Sequence, residues 1–507
     1  DNRVENICID GNVVITASLD GKIIFWDKST QQQLATMMLL TNKDEYIIYN
    51  SDGYYMASKK ALDMISFTHN KLIFNISAFD LEKNRPDILL RSIGYNSQAL
   101  ADIYYQLYQK RKANSPSQLQ WNGNDIPIIE RAILPYQIND TFVALRIQAT
   151  QSVSALNRLN IWLNGVPIFG KSGIEIKAAN GRFDSTYRIE LQNGVNIVEY
   201  TVYNLQGMQS EKPKLEIECL VKAKRSNLYV LCLSVSEYEQ KENNLKYAVK
   251  DGRDVAQAFI QEYLSQDINN LSFNQIFVDT LFDKNATVQN FLKAESKIKE
   301  AQPSDRVIVY LSGHGLLDKN LNFWFATHNI DFKNPSKDGL GYERVEELLS
   351  NINAREKLLL IDACHSGQPD KSAIVKVDES KLQNSRNVQS YTFKGLELDD
   401  EELPDLSASF ELMQVIFRDM SLSGGTQVIA AAAGNSYALE SDLWNNGIFT
   451  YCLVNGMKNK EADLNADGKI NLSELNEYIY AQVSSKTSGR QKPTSRSWNQ
   501  WADFIVK

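Results

Sequence analysis

No run of apolar residues in this chain approaches the roughly 20 that a membrane-spanning helix needs, which removes a bilayer as its setting. Cysteine is sparse. The 5 in 507 residues, Cys8, Cys219, Cys232, Cys364 and Cys452, fall at no paired spacing, and the neighbours of Cys232 and Cys452 read as buried apolar segments. A disulfide framework is therefore not expected, and a reducing, cytoplasmic setting is. Basic residues are in the minority, 54 against 62 acidic for a net charge of -8, and they concentrate on no element. Binding phosphate backbones needs clustered Lys and Arg, so nucleic acid is not an expected partner. Histidine numbers only 4, at positions 69, 314, 328 and 365, so imidazole chemistry is confined to four places. The first ten residues show no basic-then-apolar signal pattern, and an opening at Asp1 reads as a fragment or a processed form.

At this length one core is not enough, and about 100 to 200 residues per domain gives three or four units. The first, 1–80, begins with short strands at 12–18 and 22–26 around the Asp20-Gly21 turn, closed by Asp27. Trp26-Asp27 at that spacing resembles the last blade of a WD40 β-propeller, so 1–80 reads as a carboxy-terminal blade remnant; an unrelated hairpin is the alternative, and no second blade follows. A turn at 52–55 ends this stretch. A helical segment (97–110) and a polar linker (112–118) fill 81–121. From 122 to 222 the pattern becomes period two, with Ile161, Leu163 and Val166 around Asn164-Gly165, and Tyr187, Ile189 and Leu191 facing Ile197 across Asn193-Gly194. Two Asn-Gly hairpins in about 100 alternating residues indicate an immunoglobulin-like or fibronectin-like β-sandwich.

After the basic spacer 222–225 the pattern changes again. Continuous apolar runs at 228–235, 276–278, 307–311, 323–326, 358–361 and 427–433 read as strands covered on both faces, in a mainly parallel α/β sheet. Val249, Val255, Phe259 and Tyr263 fall on one helical stripe, as do Val345, Leu348 and Leu349. Two of the runs end in reactive groups: 307–311 leads into Ser312-Gly313-His314-Gly315, and 358–361 into Asp362-Ala363-Cys364-His365-Ser366-Gly367. Ligands bind beyond the carboxyl ends of strands in such sheets, so neighbouring strands would bring His314 and Cys364 to one rim. A thiol reacts as thiolate, and an imidazole that takes its proton supplies the activation. Glycines at 313, 315 and 367 let a peptide backbone approach, and the amides of Gly315 and Cys364 are candidates for an oxyanion hole. Each residue alone is weak, since a lone Cys after an apolar strand is more often core. Their spacing of about fifty agrees with a caspase-type pairing. His365 would have to turn back on its neighbour to serve as base, and His328 and His69 are weaker rivals.

These strings resemble the caspase-like peptidases over about 280 residues, and 225–507 is identified as a member of that clan. Asp-Ala-Cys-His-Ser-Gly stands where caspases have Gln-Ala-Cys-x-Gly, Leu245 to Asp251 is similar to the first strand-to-helix turn, and Gly447-Ile448-Phe449-Thr450 after Trp444 is similar to a late segment of bacterial members. A caspase domain joined to WD40 blades is itself a known bacterial arrangement. The resemblance implies cleavage after Arg or Lys, as in metacaspases, because Asp362 replaces the caspase Gln and Asp251 matches a metacaspase Asp. Two carboxylates at the base of a pocket suit a guanidinium. The alternative is that Asp251 caps a helix and Asp362 bonds backbone; Lys250 also departs from the Asn usual before that first Asp.

Finally, Asp463, Asn465, Asp467, Gly468, Lys469 (through its carbonyl), Asn471 and Glu474 satisfy the EF-hand loop pattern at 463–474, which leads into a helix at 472–483. Ca²⁺ is the expected cofactor, with no organic one; an Asx-rich turn that binds nothing is the alternative. The expectation is a calcium-associated cysteine endopeptidase acting on proteins or peptides with a basic P1 residue, with protein partners on the WD40-like and sandwich modules. Its segment 368–421, with Lys371, Lys376, Lys381, Arg386 and Lys394, is long enough to be a functional loop and a site of self-cleavage, while the acidic stretch 397–405 reads as a solvated face. A silent WD40-type scaffold, an Asp-specific peptidase and an esterase using the same pair are the alternatives.

Overall fold

A computed structural model describes residues 3–40, 45–58, 60–69, 72–75, 79–94, 98–113, 124–170, 172–222, 225–265, 273–318, 320, 322–365, 392–393, 425–431, 438–496 and 503–507. The chain divides into two compact units, Asp1–Leu163 with Ser172–Val221, and Asn164–Lys171 with Lys222–Lys507.

In the first unit, strands Val4–Asp10, Val13–Ser18, Lys22–Asp27, Gln33–Leu39, Tyr46–Tyr49 and Tyr55–Ala57 form one six-stranded sheet in chain order, each antiparallel to the next. Trp26 Nε1–H donates to Thr16 Oγ1 at 2.9 Å, and Asp27 closes its strand by accepting the amides of Ser29 and Thr30. One face of the sheet buries Ala35 and Ile48 against Leu89 of helix Pro86–Ser92. Two further sheets follow. Phe142–Thr150 pairs with Arg182–Glu190 in one; Gly194–Asn204 lies between Leu156–Leu163 and Lys214–Cys219 in the other. The hairpin expected across Asn193-Gly194 is thus corrected: the chain passes there from one sheet to the other. Asn196, fully buried, explains the change of direction, because its side chain accepts the Gln192 amide and donates to the carbonyls of Gln192 and Gly194. Asn164 and Gly165 do have the paired positive φ, 50° and 73°, of a tight turn.

The second unit is a three-layer α/β/α domain. Its strands are β1 (Ser226–Ser234), β2 (Phe273–Phe282), β3 (Arg306–Leu317), β4 (Glu356–His365), β5 (Gln427–Ala430) and β6 (Thr494–Arg496), in the spatial order β2-β1-β3-β4-β5-β6. The first five are parallel and β6 is antiparallel. One face, through Val230, Ile308, Tyr310, Leu358, Leu360 and Ile429, packs against α1 (Ala248–Ser265), α4 (Ile448–Lys458) and α5 (Leu472–Lys486). The other carries α2 (Val288–Ile298) and α3 (Tyr342–Asn351). All twelve residues of β3 are buried, which is why its sequence shows no alternation. The run at 323–326 is corrected: Phe323–Phe325 does not join the parallel set but folds back antiparallel on Gly315–Leu317.

Lys357 shows how tightly this core closes. It is buried on β4, and its Nζ donates to the Leu349 carbonyl at 2.9 Å. Burial lowers its ammonium to about 7, whereas an unfolded lysine titrates near about 10.4. Between those values the unfolded chain holds a proton that the folded one does not, so the Lys357 contribution makes stability rise with pH, by about 1.4 kcal/mol per unit at the steepest. Below that window the full cost of the buried charge is present. Denaturation midpoints at about pH 7 and about pH 9.5 should therefore diverge in favour of wild type over Lys357→Met as pH rises; a pH-independent difference would refute the shift.

Candidate active site

β3 and β4 pair in parallel with His314 opposite Cys364 and Gly315 opposite His365, so the two sequence strings meet at one end of the sheet. His314 is almost fully buried. Its Nε2 lies 2.8 Å from the Asn243 carbonyl. A carbonyl can only accept, so that nitrogen carries the proton and the basic lone pair belongs to Nδ1. The amide N–H of His314 donates to Tyr238 Oη at 3.0 Å, while its carbonyl accepts the Ala326 N–H at 2.9 Å. That second bond makes Gly315 and Phe325 a non-hydrogen-bonded pair, which turns the Gly315 N–H away from the 323–325 strand and toward β4. Of the rival bases, His328 gives its Nδ1 to the Glu237 carbonyl at 2.5 Å. His69 lies in the first unit, on strand Ser66–His69. Cys232 and Cys452 are removed as nucleophiles, because burial pushes both thiols up to about 12.

The two acidic candidates converge on the amino terminus of α4. Asp251, fully buried on α1, accepts the Gly447 amide at 2.9 Å and the Asn446 side chain at 3.0 Å. Asp362, fully buried on β4, accepts Thr450 Oγ1 at 2.7 Å, and Tyr310 Oη is 2.6 Å from the same hydroxyl. Since Thr450 gives its proton to the carboxylate, Tyr310 donates to Thr450. Burial, then the charges of Asp362 and Asp251, raise the Tyr310 phenol well above its ordinary value, so both carboxylates act on one phenol. Asp251 thus serves a helix cap, but of α4 rather than of its own helix, and Asp362 meets the Thr450 hydroxyl.

The loop 463–474 has its turn built from its own oxygens. Asp463 accepts the amides of Asp467 and Gly468, Asn465 accepts that of Asp467, Asp467 that of Lys469, and Glu474 brackets those of Asn465 and Asn471. Gly468 takes φ 87°, which suits glycine at the sharp bend. Ile470 pairs with the chain end, accepting the Val506 amide at 2.8 Å. The donor set of three carboxylates, Asn465 and the Lys469 carbonyl matches a hard cation. Among the described residues, however, no three His, Cys, Asp or Glu side chains converge on one point.

Several participants were invisible in the sequence. Asn243 contributes a backbone carbonyl, which its residue type does not announce. Glu440 accepts the amides of Lys246 and Tyr247 at the start of α1, at 2.9 and 3.1 Å. Tyr238 carried no signal beyond its neighbourhood, while Thr450 stood inside the noted Gly-Ile-Phe-Thr string with its contact to Asp362 unread.

A buried, oriented imidazole and a cysteine stand at the carboxyl ends of adjacent parallel strands in an α/β/α unit, an arrangement that a cysteine hydrolase would use. The family model of the caspase domain, peptidase family C14, matches residues 228–504, and the chain belongs to that family: it is a caspase-like cysteine peptidase. Among solved structures it is similar to caspase-1 from Spodoptera frugiperda, at 10% identity over 54% of this chain and 87% of that one, with a TM-score of 0.31. It is also similar to fibronectin(III)-like modules of CbhA from Clostridium thermocellum, at 16% identity over 19% of this chain and 99% of that one, with a TM-score of 0.15. No curated protein matches.

Proposed function

We propose that this peptidase is an endopeptidase working through a His314–Cys364 dyad and cleaving after Arg or Lys. The observation that carries the reading is the register of His314 opposite Cys364, with the Asn243 carbonyl fixing the imidazole tautomer. Nδ1 takes the thiol proton, the thiolate attacks the scissile carbonyl, and the imidazolium then protonates the leaving amine. The amides of Gly315 and Cys364 receive the oxyanion. Water, deprotonated by the same imidazole, releases the acyl group.

Asp251 and Asp362 supply the basic preference. Both are fully buried and close enough to one phenol to raise it, which suits a planar cation with two acceptors. The WD40-like 1–80 and the sandwich-like 122–222 serve protein partners; their antiparallel sheets and the Trp26–Thr16 bond fit that reading. Self-cleavage falls in the segment 368–421, with Arg386 the first choice because Arg best fills a two-carboxylate pocket; apart from 392–393, that segment and the acidic stretch 397–405 lie outside the described residues. Asp463, Asn465, Asp467, the Lys469 carbonyl and Glu474, with Asn471 alongside, would hold calcium, which would stiffen the turn that joins α4 to α5.

With Arg, Lys and Asp reporter peptides, Cys364→Ala and His314→Ala should be dead and His365→Ala mildly affected. Asp362→Asn should lose more than about a hundredfold of Arg turnover, since breaking one side of a buried pair costs about 3 to 5 kcal/mol. A preference for Asp peptides, turnover of simple esters alone, or no turnover at all would select one of the rival functions. Mass spectrometry of purified wild type beside Cys364→Ala should find cuts between 368 and 421 in wild type only; equal cutting in both rules out self-processing. Calcium should raise the melting temperature of wild type relative to chelator, and Glu474→Gln should weaken the effect. A calorimetric titration silent at about millimolar ion would remove calcium from the account.

A further inference from the structure

Along one edge of β3 the backbone changes partner at the residue that matters most. β1 pairs with β3 as far as Ser234 opposite Ser312, closed by the Val235 N–H on the Ser312 carbonyl at 3.0 Å. The antiparallel 323–325 strand takes up the same edge only at Gly315, where the Ala326 N–H reaches the His314 carbonyl. The N–H and C=O of a strand residue point to the same side, so the His314 N–H faces the interval between the two ladders. Tyr238 Oη stands there, 3.0 Å away.

Three features show a built contact. Tyr238 is 3% exposed, and its ring lies 5.2 Å from the imidazole, with Phe332 packed edge-on against both. A Cβ at position 313 would come within 2.9 Å of the hydroxyl and 3.1 Å of Phe325 Cζ, so the first glycine of Ser-Gly-His-Gly makes room for the phenol. The Tyr238 amide donates to Asn244 Oδ1 at 2.8 Å, beside the Asn243 carbonyl that holds Nε2. One loop therefore grips His314 twice, at the main chain and at the ring. The loop is anchored in turn by Asp283, which accepts the amides of Ser236 and Glu237, and by His328.

We propose that Tyr238 is a positioning residue for the catalytic imidazole: its hydroxyl replaces the missing ladder partner of His314, and its ring sets the angle at which Nδ1 receives the thiol proton. This rests on the dyad reading above. Tyr238→Phe keeps the ring and loses the hydroxyl, leaving a buried N–H without its acceptor.

In the full chain, Tyr238→Phe should lower kcat by about 10- to 100-fold with KM little changed. It should also move the pH profile of Cys364 alkylation by iodoacetamide, read by mass spectrometry, toward higher pH. A purely structural residue would lower the melting temperature and leave that profile in place. Phe332→Leu, which thins the ring packing but keeps the hydroxyl, should cost less in kcat. Wild-type kcat and alkylation profile in Tyr238→Phe, with His314→Ala dead, would overturn the role of Tyr238 alone; equal losses in Tyr238→Phe and Phe332→Leu would overturn the role of its hydroxyl. A fully active His314→Ala would overturn the dyad and this inference with it.

Discussion

Because β3 and β4 pair in parallel and in register from Arg306 opposite Glu356 to Gly315 opposite His365, whatever fixes the ladder at one end places the chemistry at the other. A slip of one residue would turn every side chain of a strand to the wrong face. The far end is fixed by Arg306, whose guanidinium pairs with Glu356 at 2.5 Å and lies 5.0 Å from the rings of both Phe273 and Phe504. Out of register, that largely buried cation would face no carboxylate, a situation costing about 3 to 5 kcal/mol. Eight residues along, at about 3.3 Å each, the constraint reaches His314 and Cys364 roughly 26 Å away. An ion pair remote from the site therefore belongs to its precision.

The second constraint ties the starts of α1 and α4 to buried carboxylates. Asp251, in the first turn of α1, accepts the amide of Gly447 at the start of α4, and Glu440, on the short strand Leu439–Ser441, accepts the amides of Lys246 and Tyr247 at the start of α1. Each carboxylate meets the positive end of a helix, where an anion is favoured. The arrangement gives the fully buried Asp251 its hydrogen-bond donors. The same group is thus both a structural cap and the candidate reader of a basic side chain, which makes its removal ambiguous. Asp362, which accepts the Thr450 hydroxyl and caps no helix amide in the bonds described, is the cleaner probe of specificity.

The parallel sheet and the meeting of His314 with Cys364 were legible because buried strands are written as unbroken apolar runs and both reactive strings follow such runs directly. The direction of Phe323–Phe325 was not, since composition gives burial and not polarity. Asn193-Gly194 misled for a related reason: the dipeptide reports a local turn, whereas the destination of the chain is set by the Asn196 amide three residues on. The support of His314 was equally hidden. Asn243 acts through a carbonyl every residue possesses, and Tyr238 only through a gap between two ladders that exists once the sheet is assembled. The EF-hand string did specify the turn at 463–474, but spacing alone does not say whether the carboxylates face one another or the amides of their own loop.

That a carbonyl rather than a carboxylate orients His314 is consistent with the nucleophile it would serve. An unperturbed thiol and imidazole differ by about 2 units, so transferring the proton between them costs only about 3 kcal/mol before any help from the site. A serine hydroxyl is far less acidic, and enzymes that use one bury an aspartate behind the imidazole to stabilise the cation that forms. Here the neutral Asn243 carbonyl still selects the tautomer and, through its dipole, favours a proton on Nε2, without adding a buried charge beside Asp251 and Asp362. The carboxylates of Asp251 and Asp362 are engaged at the amino terminus of α4. Orientation of the imidazole becomes a matter of backbone geometry, and that geometry is held by the loop from Ser236 to Asn244.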